Sequence, residues 1–182
     1  AISATSPLTT KGDIFTFTTV AARLAVGTND YQVTADSSTA TGLNYTPGIS
    51  FFALFRDQKT STTDGGSSSA TTWNIRDLNT QVSDTKSLIT ITSNRFTPIA
   101  GTYLLRATAP AYDVGDHRLK LYNHTQSSDV VVGANAHAST SGNGQTNASL
   151  LATFTADGTD AYEIRHYTVS AKATKGLGQA VS

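Results

Sequence analysis

The sequence predicts an all-β protein: a two-sheet β-sandwich of the jelly-roll kind, preceded by a short β-rich neck. From about Ile49 onward, short segments of alternating apolar and polar residues recur, with turn-forming residues between them. No stretch of the chain carries a sustained helical period of apolar residues. Several short strands around one core imply two facing sheets, because a single sheet would leave its apolar face in water.

Residues 1–48 form the predicted neck, and their composition differs from the rest of the chain. They are rich in Thr, Ser, Gly and Ala, and their large apolar residues occur singly. Two segments, 13–18 and 23–26, have the pattern of short strands. The neck has too few large side chains to bury a core by itself. We therefore expect it to be ordered only when it packs against copies of itself or against neighbouring proteins.

Residues 49–182 form the predicted head, in which apolar and polar residues alternate clearly. Tyr103, Leu105 and Ala107 fall on one face of their strand, while Arg106 falls on the other. Phe154 and Tyr162 flank an Asp157-Gly158 turn, which predicts a hairpin between the last two strands. The predicted strands of the head are 50–56, 73–78, 88–93, 101–109, 117–124, 130–138, 148–155 and 161–169.

The composition predicts a neutral, polar surface. Thirteen basic and 13 acidic residues balance to a formal charge of +0, and charged residues make up 14% of the chain. Ser and Thr supply roughly a quarter of the residues, well above ordinary usage. Such a surface suits binding to neutral polar ligands such as glycans and equally suits an uncharged outer coat. We expect no nucleic-acid partner and no membrane insertion, since neither clustered basic residues nor a long apolar run occurs.

The sequence offers little that could catalyse a reaction. There is no Gly-x-Ser-x-Gly motif, and Glu163 is the only glutamate. Because Glu163 is two residues from Arg165 in a strand, we expect a solvent-exposed ion pair rather than one of two catalytic carboxylates. The chain has no cysteine, so oligomerisation rather than disulfide bonding is expected to make it robust. We predict no enzyme activity, no catalytic residue and no cofactor.

Histidines are the best candidates for metal ligands. A hairpin of strands 117–124 and 130–138 would place His117 nearly opposite His137. His166 is in phase with Tyr162 and Ile164, so we expect it to point either inward or toward a subunit partner. In a trimer, one inward histidine per chain could hold a metal at the axis. No close ligand spacing occurs, so we favour structural histidines and predict no metal.

Loops 57–72, 110–117 and 139–147 are long enough to contact a ligand. An aromatic ring can lie against a sugar face, and neighbouring carboxylates and amides can bind sugar hydroxyls. The plainer interpretation of any one of these residues is a solvated loop tip. The candidate receptor-binding residues are Tyr112, Asp113, Asp116, Asn143, Gln145 and Asn147.

The neck carries an ordered set of motifs. It reads Ser-Pro-Leu-Thr-Thr-Lys-Gly-Asp-Ile at 6–14, Arg-Leu-Ala-Val-Gly-Thr at 23–28 and Thr-Ala-Asp-Ser-Ser-Thr-Ala-Thr-Gly-Leu at 34–43. These segments resemble the short module that precedes the C-terminal head in many bacteriophage tail-fibre and virion structural proteins. The resemblance implies a β-rich element that trimerises around a common axis.

The head carries a second familiar motif, Arg-Phe-Thr-Pro-Ile-Ala-Gly-Thr-Tyr-Leu-Leu at 95–105. It resembles the Phe-x-x-Pro-x-x-Gly-x-Tyr strand entry of tumour-necrosis-factor-like and complement-type heads. That resemblance implies a jelly roll in a three-fold homotrimer. Such heads usually end in one more central strand, which would have to lie within 171–182 or be absent here.

Together the two resemblances imply a virion structural protein on the particle surface. We expect a homotrimeric tail-fibre or spike subunit that docks on other virion proteins through its N-terminal segment and attaches to a host-surface glycan or protein. The alternatives are a capsid-decoration or head-fibre protein and a polysaccharide-degrading fibre enzyme. A trimeric non-viral signalling head is disfavoured by the phage-like neck.

Overall fold

The computed structural model describes residues 7–18, 20–29, 31–48, 52–84 and 86–180, and these residues form strands and turns without a helix. The predicted all-β class is therefore confirmed. The described residues include no helix long and apolar enough to cross a membrane. The chain divides into two compact units, residues 1–51 and 52–182. The predicted boundary after residue 48 stays a prediction, because 49–51 lie outside the described residues.

The first unit consists of two hairpins. Strand β1 (Ile14–Phe17) pairs with β2 (Ala21–Leu24), and β3 (Tyr31–Ala35) pairs with β4 (Leu43–Pro47). The first hairpin overlaps the two predicted segments, whereas β3 and β4 were not predicted, although each alternates apolar with polar residues. Large apolar side chains remain exposed here, including Phe15 at 56% and Phe17 at 70%.

The entry to the first hairpin is organised by one carboxylate. Asp13 Oδ2 accepts hydrogen bonds from the backbone N–H groups of Thr9 (3.0 Å) and Thr10 (2.8 Å), and Oδ1 accepts one from Val26 (3.0 Å). The hydrogen bond from Thr9 is the leading reason that the pKa of Asp13 lies below its ordinary value. This side chain fixes both ends of the hairpin in place of an apolar core.

The described residues of the second unit form ten strands, all in antiparallel pairs. A six-stranded sheet has the order β12-β11-β14-β9-β8, with β6 also pairing with β14, while β10 with β13 and β5 with β7 form two-stranded sheets. Each predicted segment overlaps a strand, and the structure adds β7 and β9. The strands are β5 Leu54–Arg56, β6 Thr72–Ile75, β7 Thr80–Ser83, β8 Ile89–Thr92, β9 Arg95–Pro98, β10 Gly101–Tyr112, β11 Gly115–Asn123, β12 Ser128–Ala138, β13 Gln145–Ala156 and β14 Tyr162–Thr168.

The core lies between the β10–β13 sheet and the six-stranded sheet. Leu119 and Leu121 of β11 and Leu150 of β13 are almost fully buried, and each contributes about 2 kcal/mol by leaving water. Aromatic rings fill one end, where the ring centroid of Phe154 lies 5.7 Å from Tyr103 and 5.0 Å from Tyr162. The regular alternation of β13 thus places every second side chain in the core.

The predicted hairpin between the last two strands is wrong. Phe154 of β13 pairs with Tyr103 of β10, whereas Tyr162 of β14 pairs with Asn123 of β11. The turn after β13 therefore carries the chain from one sheet to the other, and Asp157 Oδ1 fixes it by accepting from the N–H groups of Thr159 (2.8 Å) and Asp160 (2.9 Å). An Asp-Gly turn predicts that the chain reverses direction. It does not predict which sheet the next strand joins, because that depends on how the side chains pack in the core.

The C-terminal segment forms turns rather than a strand over residues 171–180. It is anchored by a bridge between Ser68 and Lys172 and by the buried Arg76, whose Nη1 donates to Leu177 O at 2.7 Å. A further central strand is therefore absent from these described residues. The sandwich is confirmed, while its finer description as a jelly roll stays a prediction.

Candidate functional site

The structure brings four of the six predicted receptor-binding residues to one end of the β10–β13 sheet. Tyr112 ends β10 opposite Gln145, which begins β13, and Asp113 and Asn143 lie in the adjoining turns. Asn147 is further along β13, opposite Pro110. Asp116 lies apart from them on β11, with its side chain exposed.

Two of these residues have structural roles in the chain. Tyr112 is only 2% exposed, its hydroxyl donates to Asn143 Oδ1, and Lys175 Nζ lies 4.6 Å from its ring centroid. Asp113 is buried, and its carboxylate accepts from Lys172 Nζ (3.0 Å) and Gly144 N–H (2.9 Å). The hydrogen bond from Lys172 is the leading reason that the pKa of Asp113 is lowered. Neither a free ring face nor a free carboxylate remains for a sugar at these two positions.

The other four predicted residues are exposed, so their part in receptor binding stays a prediction. Gln145 Oε1 accepts from Gln179 N–H at 2.6 Å, and Asp116 Oδ1 lies 2.7 Å from His137 Nδ1. Asn143 has its side-chain oxygen engaged by Tyr112. Asn147 makes no side-chain hydrogen bond among the described residues.

The side chain of Glu163 is buried, whereas the sequence predicted that it would be exposed to solvent. Its predicted ion pair with Arg165 is present at 2.7 Å, but the carboxylate is fully buried rather than solvent-exposed. Arg95 Nε donates to Oε1 at 2.8 Å, and His124 Nδ1 lies 3.1 Å from the same oxygen. Burial raises the pKa of Glu163, but the hydrogen bonds from Arg95 and Arg165 outweigh it and hold the pKa below its ordinary value. The long arginine side chains cover the carboxylate, which strand alternation alone does not predict.

The histidines are arranged differently from the predicted pairing. In the β11–β12 hairpin Asp116, not His117, is opposite His137, so the rings of His117 and His137 point to opposite faces. His166 points inward, which is one of the two predicted orientations, and is fully buried. Among the described residues no three or more His, Cys, Asp or Glu side chains are grouped to hold a metal.

The two inward histidines form a hydrogen-bonded chain. Thr146 Oγ1 donates to His137 O (3.0 Å) and therefore accepts from His117 Nε2 (2.8 Å). His117 Nδ1 is then the acceptor for His166 Nε2–H at 2.9 Å. Burial first, and then the charge of Arg76, lower the pKa of His166 to about 3, and burial also lowers the pKa of His117. Both rings are neutral at pH 7, which suits a structural role.

A row of four side chains crosses the outer face of the six-stranded sheet, and sequence reasoning missed it. Asn135 on β12 is opposite Arg118 on β11, Arg118 is opposite Tyr167 on β14, and Tyr167 is opposite Trp73 on β6. We call these four residues the cross-strand row. Arg118 and Tyr167 each lie between two buried residues, which indicates that they face outward, but the alignment of the four residues depends on pairings between strands far apart in sequence.

Cations surround the aromatic part of the cross-strand row. The Trp73 and Tyr167 ring centroids are 5.4 Å apart, and Arg118 Cζ lies 5.8 Å from the Trp73 centroid. Lys120 Nζ, in the next row, lies 4.3 Å from the same indole. An open depression of about 280 Å³ is lined by Asp116, His117, Arg118, Asn135 and Tyr167. The face thus combines two partly exposed rings with a guanidinium, an amide and a carboxylate.

Comparison with known proteins does not add to this description. No protein-family model matches the chain. A search of the curated proteins finds no significant match.

Proposed function

We propose that this protein is a non-enzymatic virion structural protein, a homotrimeric tail-fibre or spike subunit that attaches to glycans on the host cell surface. The observation that carries the attachment role is the cross-strand row. Rings that can lie against a sugar face stand beside side chains that can bind hydroxyl groups. The virion assignment rests on the resemblance of the neck and head segments to phage fibre proteins.

A binding role is favoured over a polysaccharide-degrading one by the state of Glu163. Glycoside hydrolysis needs a carboxylic acid that can donate a proton and a second carboxylate nearby. The single glutamate of this chain is instead covered by Arg95 and Arg165, which hold its pKa below the ordinary value. Such a carboxylate is ionised at neutral pH and poorly suited to act as a general acid.

Homotrimerisation is supported by the first unit. Phe15, Phe17 and Val20 are each more than half exposed there. Association with two other copies would remove this apolar surface from water. Three identical sites on one particle component would then gain avidity even if each site bound weakly.

The attachment role is tested by the binding of fluorescently labelled protein to intact candidate host cells. Periodate cleaves vicinal diols of surface sugars, so we expect saturable binding that is lost after periodate treatment. Cells treated with protease instead serve as the control and should keep their binding. Binding lost only after protease would replace the glycan with a protein receptor, and no binding to any infectible host would favour a capsid-decoration or head-fibre role.

A further inference from the structure

We propose that the cross-strand row binds an acidic saccharide, with a sugar carboxylate at Arg118 and a sugar ring against Trp73 and Tyr167. This inference rests on the proposed function and names the class of glycan and the surface that takes it. The surface differs from the loops that the sequence indicated. It lies on the sheet, where paired strands hold the side chains in fixed positions.

Arg118 is the cation on this face that is available to a ligand. Its neighbours are engaged: Arg95 and Arg165 bind Glu163, and Lys120 Nζ lies 2.5 Å from Asp129. Within the described parts of the chain, Arg118 forms no ion pair, and its guanidinium carbon lies 5.8 Å from the ring centroid of Trp73. A guanidinium can donate two parallel hydrogen bonds to a carboxylate, so Arg118 is suited to a carboxylated sugar.

The groups flanking Arg118 match the remainder of a sugar. Trp73 and Tyr167 are half-buried, so part of each side chain remains exposed for contact with a sugar. Asn135 is exposed, and its amide can both donate and accept. Asp116 would accept from hydroxyl groups, and its charge is offset by His137 Nδ1 at 2.7 Å when that ring is protonated. The row crosses four strands, about 14 Å, which is enough for a short oligosaccharide.

Two competing assignments fit the structure less well. Nucleic acid would need several free cations along one track, whereas the described residues of this face offer one and the whole chain has a formal charge of +0. A second open depression, of about 350 Å³, surrounds Arg106 on the outer face of the β10–β13 sheet. Its lining residues are Arg106, Thr108, Ser149, Leu150 and Leu151, none of which supplies an aromatic ring.

Trp73 makes the proposal directly measurable because it is the only tryptophan of the chain. Its fluorescence would be titrated with trigalacturonic acid and, separately, with the methyl ester of the same trisaccharide. We expect a saturable change in emission with the acid and affinity about tenfold or more weaker with the uncharged ester, since the ester cannot pair with a guanidinium.

Arg118→Gln is the test variant, and Arg106→Gln is its matched control. Both arginines are mid-strand, on an outer sheet face and without an ion pair in the described residues, with Arg106 exposed and Arg118 half-buried. We expect Arg118→Gln to lose about tenfold or more in affinity for trigalacturonic acid, while Arg106→Gln binds as the unaltered protein does. Thermal unfolding of each variant would show that the fold is kept.

Three results would overturn the proposal: no response of Trp73 to trigalacturonic acid, equal affinity for acid and ester, or unchanged affinity in Arg118→Gln. Tighter binding of a single-stranded dT oligonucleotide than of the saccharide would also overturn it. The cell-binding assay separates this inference from the attachment role. If Arg118→Gln keeps periodate-sensitive binding to cells, the attachment role is supported and the saccharide site at Arg118 is excluded. If the protein binds the saccharide but not the cells, the site is supported and the attachment role is excluded.

Discussion

At the scale of single residues, the two faces of β14 carry buried ionisable groups that are neutralised in different ways. Glu163 faces outward and is ionised beneath Arg95 and Arg165, so its charge is matched by opposite charge. His166 faces the core, and burial keeps it neutral beside His117. Both arrangements depend on hydrogen bonds from strands that are distant in sequence.

Removing the carboxylate at Glu163 should destabilise the protein. Glu163→Gln keeps the size of the side chain but leaves two guanidinium groups without an anion, which we expect to cost about 2 kcal/mol because both arginines stay partly in water. Urea unfolding would measure the loss. Asp116→Asn is the control on the same sheet face, and its exposed pair with His137 should contribute less than about 1 kcal/mol. Equal effects of the two changes would contradict the structural role of Glu163.

The burial of His166 predicts that the stability of the protein depends on pH. The pKa of His166 is about 3 in the folded protein, below the ordinary value of 6.5. The unfolded chain therefore binds the proton more readily, and stability should fall as pH falls from about 6.5, by at most about 1.4 kcal/mol per pH unit for this group. Urea unfolding between pH 7.5 and 4.5 would measure the slope. His166→Gln should make the slope smaller, whereas Asn147→Ala, which removes an exposed amide that does not titrate, should leave it unchanged.

At the scale of secondary structure, irregularities in the β11–β12 hairpin align the cross-strand row. Arg118 is opposite Asn135, but Lys120 is opposite Val132, so β12 contains one extra residue between these pairs. Without this bulge, Asn135 and Val132 would point to opposite faces. The bulge consists of Gly133 and Ala134, which together face the single residue Leu119 of β11. Gly133 lies beside the backbone of β13.

Gly133 should tolerate no larger residue. A Cβ atom there would lie 2.5 Å from Ser149 O and 3.3 Å from Leu119 O, and neither backbone can move without disturbing its strand. We expect Gly133→Ala to destabilise the protein by about 2 kcal/mol in urea unfolding. Ala134→Ser, at the adjacent exposed position, should change stability by less than about 0.5 kcal/mol. A neutral effect at Gly133 would show that β12 does not approach β13 so closely.

The same elements show how far the sequence predicts this fold. Alternation predicts the strands and the inward side of β10 and β13, because every second residue there is apolar. Alternation does not reveal the two register shifts of the β11–β12 hairpin, one of them at Gly133, which together place Asp116 opposite His137. Nor does it reveal that β14 joins β11 rather than β13. The cross-strand row could not be predicted for this reason, since it needs the registers of three strand pairs at once.

At the scale of the whole molecule, the exposed apolar residues of the first unit predict self-association. Light scattering after size exclusion should give about three times the 19.1 kDa mass of the chain at micromolar concentration. Phe15→Asp together with Phe17→Asp should lower the mass, because charged residues would enter the apolar contact. A monomeric unaltered protein would contradict the trimer, while an unaffected mass in the double variant would assign association to another surface.

The position of β6 in the six-stranded sheet has a consequence for biosynthesis. Asn74 hydrogen-bonds the backbone of His166, a residue 92 positions later in the chain. The centre of the sheet therefore cannot assemble until β14 has been synthesised and has left the ribosome. Contacts so distant in sequence are associated with slow folding, during which nascent strand edges are open to aggregation. Production of this protein should improve when translation is slowed by low temperature, and chains that stop before β14 should accumulate as insoluble material.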